Sequence, residues 1–218
     1  MKSDAQLKAD ITDELFWDPR VDDAEIAVFT DQGLVTLRGT VGSLGAKYAA
    51  KSATKRVWGV SDVDNELDVR LLAGHRRSDA ELRGSVLKAL SWNVLVPDGV
   101  DATVKDSVVT LTGKVDYRSQ RDEAEAAVRN LKGVTDIHDE VKIRNAAMAD
   151  DLSHQIEKAY KRAAKIDAHH VKVEAVDGTV TLSGTVESSA ERDAALDAAW
   201  AAPGVENVED QIEVVYAY

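Results

Sequence analysis

The residues with chemical reach are few. His75, His138, His154, His169 and His170 are the only imidazoles. None stands at i, i+4 from another with a third ligand in view, so the spacing gives no zinc site. His169 and His170 precede a strand and would point to opposite faces. The chain has no cysteine, which removes disulfides, thiolate metal sites and a cysteine nucleophile. Its 39 acids read as solvated surface, and no serine–histidine–acid order stands out. "GSLG" at 42–45 has the G-x-x-G spacing of a loop that clamps nucleic-acid backbone. It occurs once, follows a strand and lacks basic flanks, so it reads as a helix start. The expectation is therefore no catalytic, cofactor-binding or metal-binding residue, and no enzyme. What remains is contact chemistry. Trp17 and Trp92 each end a helix, and Trp58 ends another beside Lys55 and Arg56. Tryptophan with a basic neighbour suits a membrane interface or a partner. A large aromatic at a helix end equally seals a small core, and the core reading is the simpler one.

Charge narrows the partners. The 218 residues carry a formal net charge of −12, which opposes nucleic acid and anionic surfaces in general. Residues 1–74 hold 9 basic and 13 acidic groups, residues 75–147 hold 12 of each, and residues 148–218 hold 6 and 14. The middle third is the segment an anion is expected to approach, and the last third is the one a cation would screen. No run approaches the roughly 18 apolar residues of a membrane span. The first residues lack the apolar core of a signal peptide. The expected compartment is the cytoplasm, or the periplasm if a leader has been removed.

The elements that must position these residues come in triplicate. "GLVTLRGTV" at 33–41 returns as "SVVTLTGKV" at 107–115 and "GTVTLSGTV" at 178–186. The pairs Gly59-Val60, Gly133-Val134 and Gly204-Val205 follow at a fixed distance, and each leads into a further strand: "DVDNELDV" at 62–69, "DIHDEVKI" at 136–143 and "NVEDQIEV" at 207–214. A fixed internal period marks tandem modules. Each copy opens with a helix whose apolar residues recur every four positions: Leu7, Ile11, Leu15; Leu82, Val86, Leu90; Leu152, Ile156, Tyr160. A strand and a tight turn follow. Asp177-Gly178 is a strong hairpin signal and Asp106-Ser107 a weaker one, so the second turn is expected to differ. A second helix carries Ala50/Ala53, Ala124/Ala127 and Ala195/Ala198 on one face. Gly59, Gly133 and Gly204 stand where its cap would be. The expected fold is α+β: three tandem αββαβ modules, each a three-stranded mixed sheet with two helices on one face, over residues 1–72, 78–145 and 148–218.

Strand alternation places Gly39, Gly113 and Gly184 on the apolar face. Lacking a Cβ, they are expected to let the alanine-bearing helix approach the sheet. Asn65, Asp139 and Asp210 fall on the same inward parity. The simplest role for them is a bond from the side chain to nearby backbone.

These features resemble the BON domain. They are the "DG-x-V-T-L-x-G-x-V" strand, the helix with Arg121, Arg192 or Lys47, the final "G-V-x-x-V-x-N/D-x-L/I/V-x-V" and Asp18-Pro19 after the first helix. The resemblance spans nearly all of the chain in three copies. It implies a small sandwich linked to osmotic or envelope stress, without a catalytic motif, that attaches to phospholipid surfaces. Two alternatives follow from the same resemblance and charge: a cytosolic protein responsive to monovalent or divalent cations, and a protein–protein scaffold. Neither points to nucleic acid, and the oligomeric state stays open.

Overall fold

The computed structural model describes residues 2–71, 73–144, 149–162 and 171–215. In the first copy, α1 (Asp4–Trp17) leads to β1 (Ile26–Asp31), β2 (Leu34–Val41), α2 (Leu44–Arg56) and β3 (Asp62–Val69). The order repeats as α3 (Asp79–Trp92), β4 (Val100–Lys105), β5 (Val108–Val115), α4 (Arg118–Arg129) and β6 (Asp136–Ile143). It repeats again as α5 (Ala149–Arg162), β7 (Val171–Val176), β8 (Thr179–Val186), α6 (Ser189–Trp200) and β9 (Asn207–Val214). Each copy forms its own three-stranded sheet, with the second strand central. In the first copy β1 pairs antiparallel with β2 and β3 pairs parallel with it, so α2 is the crossover. The third copy has the same mixed pairing. The expected α+β modules are thus present. Their contacts group into two compact units: Met1–Asn93 with Ala102–Leu111 and Glu125–Asp139, and Val94–Asp101 with Thr112–Ala124 and Glu140–Tyr218.

The cores follow the periodicities. Leu7, Ile11 and Leu15 of α1 are buried against Val35, Leu37 and Val41 of β2 and Ala50 and Ala53 of α2. Leu82, Val86 and Leu90 are buried at the matching positions of α3, and Leu152 and Ile156 at those of α5. The side chain of Tyr160 lies outside the described residues. The four-residue spacing works because every buried residue of the first helix then falls on one stripe. The helix starts are fixed locally. Ser3 with Gln6, and Ser78 with Glu81, form reciprocal capping boxes that satisfy orphan N–H groups.

The glycines act differently from the expectation. Gly39 shares the inward parity of Val35 and Leu37, but its φ is +129°. A Cβ there would lie 1.8 Å from the Glu25 carbonyl oxygen, and at Gly113 a Cβ would lie 2.2 Å from the Gly99 carbonyl oxygen. The obstacle is the backbone entering the neighbouring antiparallel strand, not the alanine face of the crossover helix. Gly184 has the same conformation at +119°. Gly59, Gly133 and Gly204 are left-handed too, yet their helices have already ended at Arg56, Arg129 and Trp200. They shape the turn that follows each helix rather than capping it.

The second hairpin turn does not differ from the others. Asp106 and Ser107 have φ values of 52° and 66°, close to Asp177 and Gly178 at 47° and 78°. A serine holds the left-handed position because Asp79, at the start of α3, accepts from the N–H groups of both Asp106 (2.9 Å) and Ser107 (3.0 Å). Asp4 does the same for Gln32 at 3.0 Å in the first copy. Glycine carries no left-handed penalty, so Ser107→Gly is expected to stabilise the protein by about 0.5–1 kcal/mol. A higher urea midpoint would register the gain; an unchanged or lower one would show that the clamp already removes the strain.

Candidate binding surfaces

The polar residues at the inward parity tie strand to helix. The Asn65 amide donates to the Lys47 carbonyl oxygen of α2 at 2.8 Å. In the third copy, Arg192 Nε of α6 donates to Asp210 at 2.7 Å, and the other Asp210 oxygen accepts from the Ile212 N–H at 3.0 Å. Lys47 and Arg192 hold equivalent places in their copies. The acid therefore faces a guanidinium where the helix has arginine, and asparagine takes a carbonyl where it has lysine. The last of these bonds is the expected local one. The long-range partners were not visible in the sequence.

Asp18 ends α1 and is 5% exposed. Arg20 donates to it from Nε (2.9 Å) and Nη2 (2.7 Å), and Arg56 from Nη2 (3.1 Å). These bonds, with Arg20 foremost, hold its carboxyl far below the ordinary range against the opposing effect of burial. Arg56 also grips Glu14 at 2.7 Å, so it is engaged by two carboxylates.

The tryptophans do not seal cores. Trp17, Trp58 and Trp92 are 78%, 71% and 76% exposed. The cores are already closed by aliphatic residues one or two positions earlier, Leu15 and Leu90 among them, which leaves the terminal rings outside. Their surroundings differ. Trp17 stands edge-on to Phe16 between Glu14 and Asp18. Trp58 has the Lys2 ammonium 5.3 Å from its ring, while the neighbouring Arg56 is occupied. Trp92 has the Lys88 ammonium at 4.3 Å, and Lys88 is itself exposed.

Neighbouring copies meet through aromatic–cation pairs. Within the first compact unit, Arg129 at the end of α4 lies 5.3 Å over the Tyr48 ring of α2, and the Tyr48 hydroxyl donates to Glu125 at 2.6 Å. Burial and that carboxylate push the Tyr48 hydroxyl up, so it remains a donor. "GSLG" supplies the start of α2: Ser43 caps it, accepting from the Ala46 N–H at 3.2 Å. Gly45 leaves room for Asn130, whose amide oxygen would sit 2.8 Å from an added Cβ. Within the second unit, Arg118 lies 4.0 Å over the Trp200 ring and the Gly204 N–H donates to the Asp116 carbonyl at 3.0 Å. Trp200 is the repeat equivalent of Arg129, while Arg118 matches Leu44, one turn before Tyr48, so a similar joint is built with ring and cation exchanged.

The BON domain model matches this sequence three times, at residues 3–70, 78–145 and 149–216. The chain belongs to the BON-domain family. A BON-family relative, the osmotically-inducible protein Y of Escherichia coli strain K12, is 30% identical over 179 residues, covering 78% of this chain and 88% of its own. Two solved structures of CdsD, a structural protein of the type III secretion system of Chlamydia trachomatis, align over 97% and 98% of this chain and 93% and 100% of theirs. Both are 14% identical, with TM-scores of 0.28 and 0.27.

Among the described residues no helix is long and apolar enough to cross a membrane, and no three or more His, Asp or Glu side chains converge as a metal site. His169 and His170 lie outside the described residues.

Proposed function

We propose that this BON-family chain is a non-enzymatic binding protein of the osmotic stress response that attaches to phospholipid surfaces through exposed tryptophans at its helix ends. The three modules, taken as residues 1–72, 78–145 and 148–218, serve as the scaffold. The stress assignment rests on the likeness to the osmotically-inducible relative. The observation that carries the surface reading is Trp92: three-quarters exposed, with a lysine on its ring that has no carboxylate partner among the described residues. A ring of this kind enters the headgroup region while its cation faces lipid phosphate. Trp17 is the poorer anchor because acids flank it.

Co-sedimentation of the full chain with phosphatidylglycerol vesicles tests this. Trp92→Ala is expected to weaken binding by about tenfold, a loss of roughly 1.4 kcal/mol, and Trp17→Ala to change it far less. Added salt should weaken the wild-type interaction as screening grows. No binding at low salt, or equal effects of the two substitutions, would sink the reading.

A further inference from the structure

Helix α2 is out of keeping with the chain around it. Its residues Leu44–Arg56 include Lys47, Lys51, Lys55 and Arg56 and no acid, on a protein with a formal charge of −12. Lys51 and Lys55 are one turn apart, where like charges repel. Both line a cleft of about 480 Å³ inside the first compact unit, together with Arg20, Tyr48, Arg129 and Asn130. No carboxylate lines it. A volume of this size is in the range of small-molecule sites.

The charges around the cleft can be matched one by one. Arg20 is neutralised by Asp18 at 2.7 Å. Lys55 is partly offset by Asp62 at 3.9 Å. Glu125 spends an oxygen on the Tyr48 hydroxyl. Lys51 and Arg129 have no ion pair among the described residues, although both are half-buried and lose part of their hydration. Two cations without an ion pair, a partly free third and the Asn130 amide surround one concave space. Half-buried cations without counter-charges raise the energy of the empty site. A doubly charged oxyanion would relieve both. A guanidinium presents paired N–H donors that fit the oxygens of a phosphate, while lysine acts as a mobile point charge.

We propose that this cleft, built from α2 of the first copy and the end of α4 of the second, binds a phosphate monoester dianion. It is a separate site from the tryptophan surfaces, and the anion is met at the junction rather than on the neutral middle copy alone. The monoester can belong to a soluble metabolite or to the headgroup of phosphatidic acid.

The full chain is titrated calorimetrically with glycerol 3-phosphate at constant ionic strength, and co-sedimented with vesicles containing phosphatidic acid or phosphatidylglycerol. Saturable binding of glycerol 3-phosphate, weakened at least tenfold by Lys51→Gln and by Arg129→Gln but unchanged by Lys114→Gln, an exposed residue of β5, identifies a soluble ligand. Binding of phosphatidic acid vesicles alone, lost in the same two variants, identifies the lipid-borne form of the same chemistry. Protonation supplies a further readout. The second phosphate pKa is about 6, so binding should fall between pH 7.5 and pH 5 as the ligand loses its second charge. Trp92→Ala should leave glycerol 3-phosphate binding intact, which separates failure here from failure of the surface reading. No saturable binding in either arm, or wild-type affinity in both cleft variants, overturns the proposal.

Discussion

Gly39→Val is expected to cost the first module most of its stability. Two penalties act together. A branched side chain at φ +129° occupies a backbone region that costs roughly 1–3 kcal/mol for a non-glycine residue. Overpacking against the Glu25 carbonyl, 1.8 Å from the new Cβ, adds about 1–3 kcal/mol if the backbone can yield. It cannot yield freely, because that carbonyl accepts from the Thr40 N–H and closes the β1–β2 ladder opposite Gly39. A module of some 70 residues has little reserve. Urea denaturation followed by circular dichroism should show an early transition for the altered module. Gly39→Ala separates the causes: alanine carries the same Cβ clash and much of the strain, so it should recover little. An alanine variant as stable as wild type would show that the conformation is adopted by preference and not imposed.

Asp18→Asn is expected to cost about 1–3 kcal/mol at neutral pH, the range for losing charge-assisted bonds to a buried acceptor. The larger penalty for orphaning a buried charge does not apply, because Arg20 and Arg56 remain 60% and 48% exposed and can return to water. The pH dependence follows from the lowered carboxyl pKa. With the folded value below the unfolded one near 3.9, the contribution is complete above about pH 5 and is lost as pH falls through the unfolded value toward the folded one. The difference between wild type and variant should therefore be full at pH 7 and shrink steadily below pH 4. A gap that stays constant to pH 3 would show that the site works by shape rather than charge.

The sequence revealed most of what depends on near neighbours in the chain. The strands at 62–69, 136–143 and 207–214 begin and end where their alternation said. Leu7, Ile11 and Leu15 are buried as their spacing required. What it hid depends on residues far apart in the chain. Spacing showed that Gly39 must be small but not that Glu25 was the reason. The tryptophan exposure depends on which residues close the core before the helix ends, and periodicity cannot supply that. Lys51 and Arg129 were unremarkable one at a time; only the approach of the end of α4 to α2 makes them neighbours. The one local clue was the run of four cations without an acid in α2.

Strand pairing inside each module never reaches far along the chain. Every parallel pair of β2 with β3 joins residues 28 apart, as Arg38 with Glu66, and the hairpin pairs such as Ile26 with Gly39 are closer still. The third copy keeps the same separation, as Thr181 with Glu209. Short loops close at small entropic cost, and chains whose contacts are local fold fast for their size. During synthesis the first sheet can complete as soon as β3 has left the ribosome, before the second hairpin exists to compete for its edges. Three near-identical strands in one chain would otherwise invite mispairing. The crossover helix, by keeping partners 28 residues apart, gives each copy a head start over its rivals.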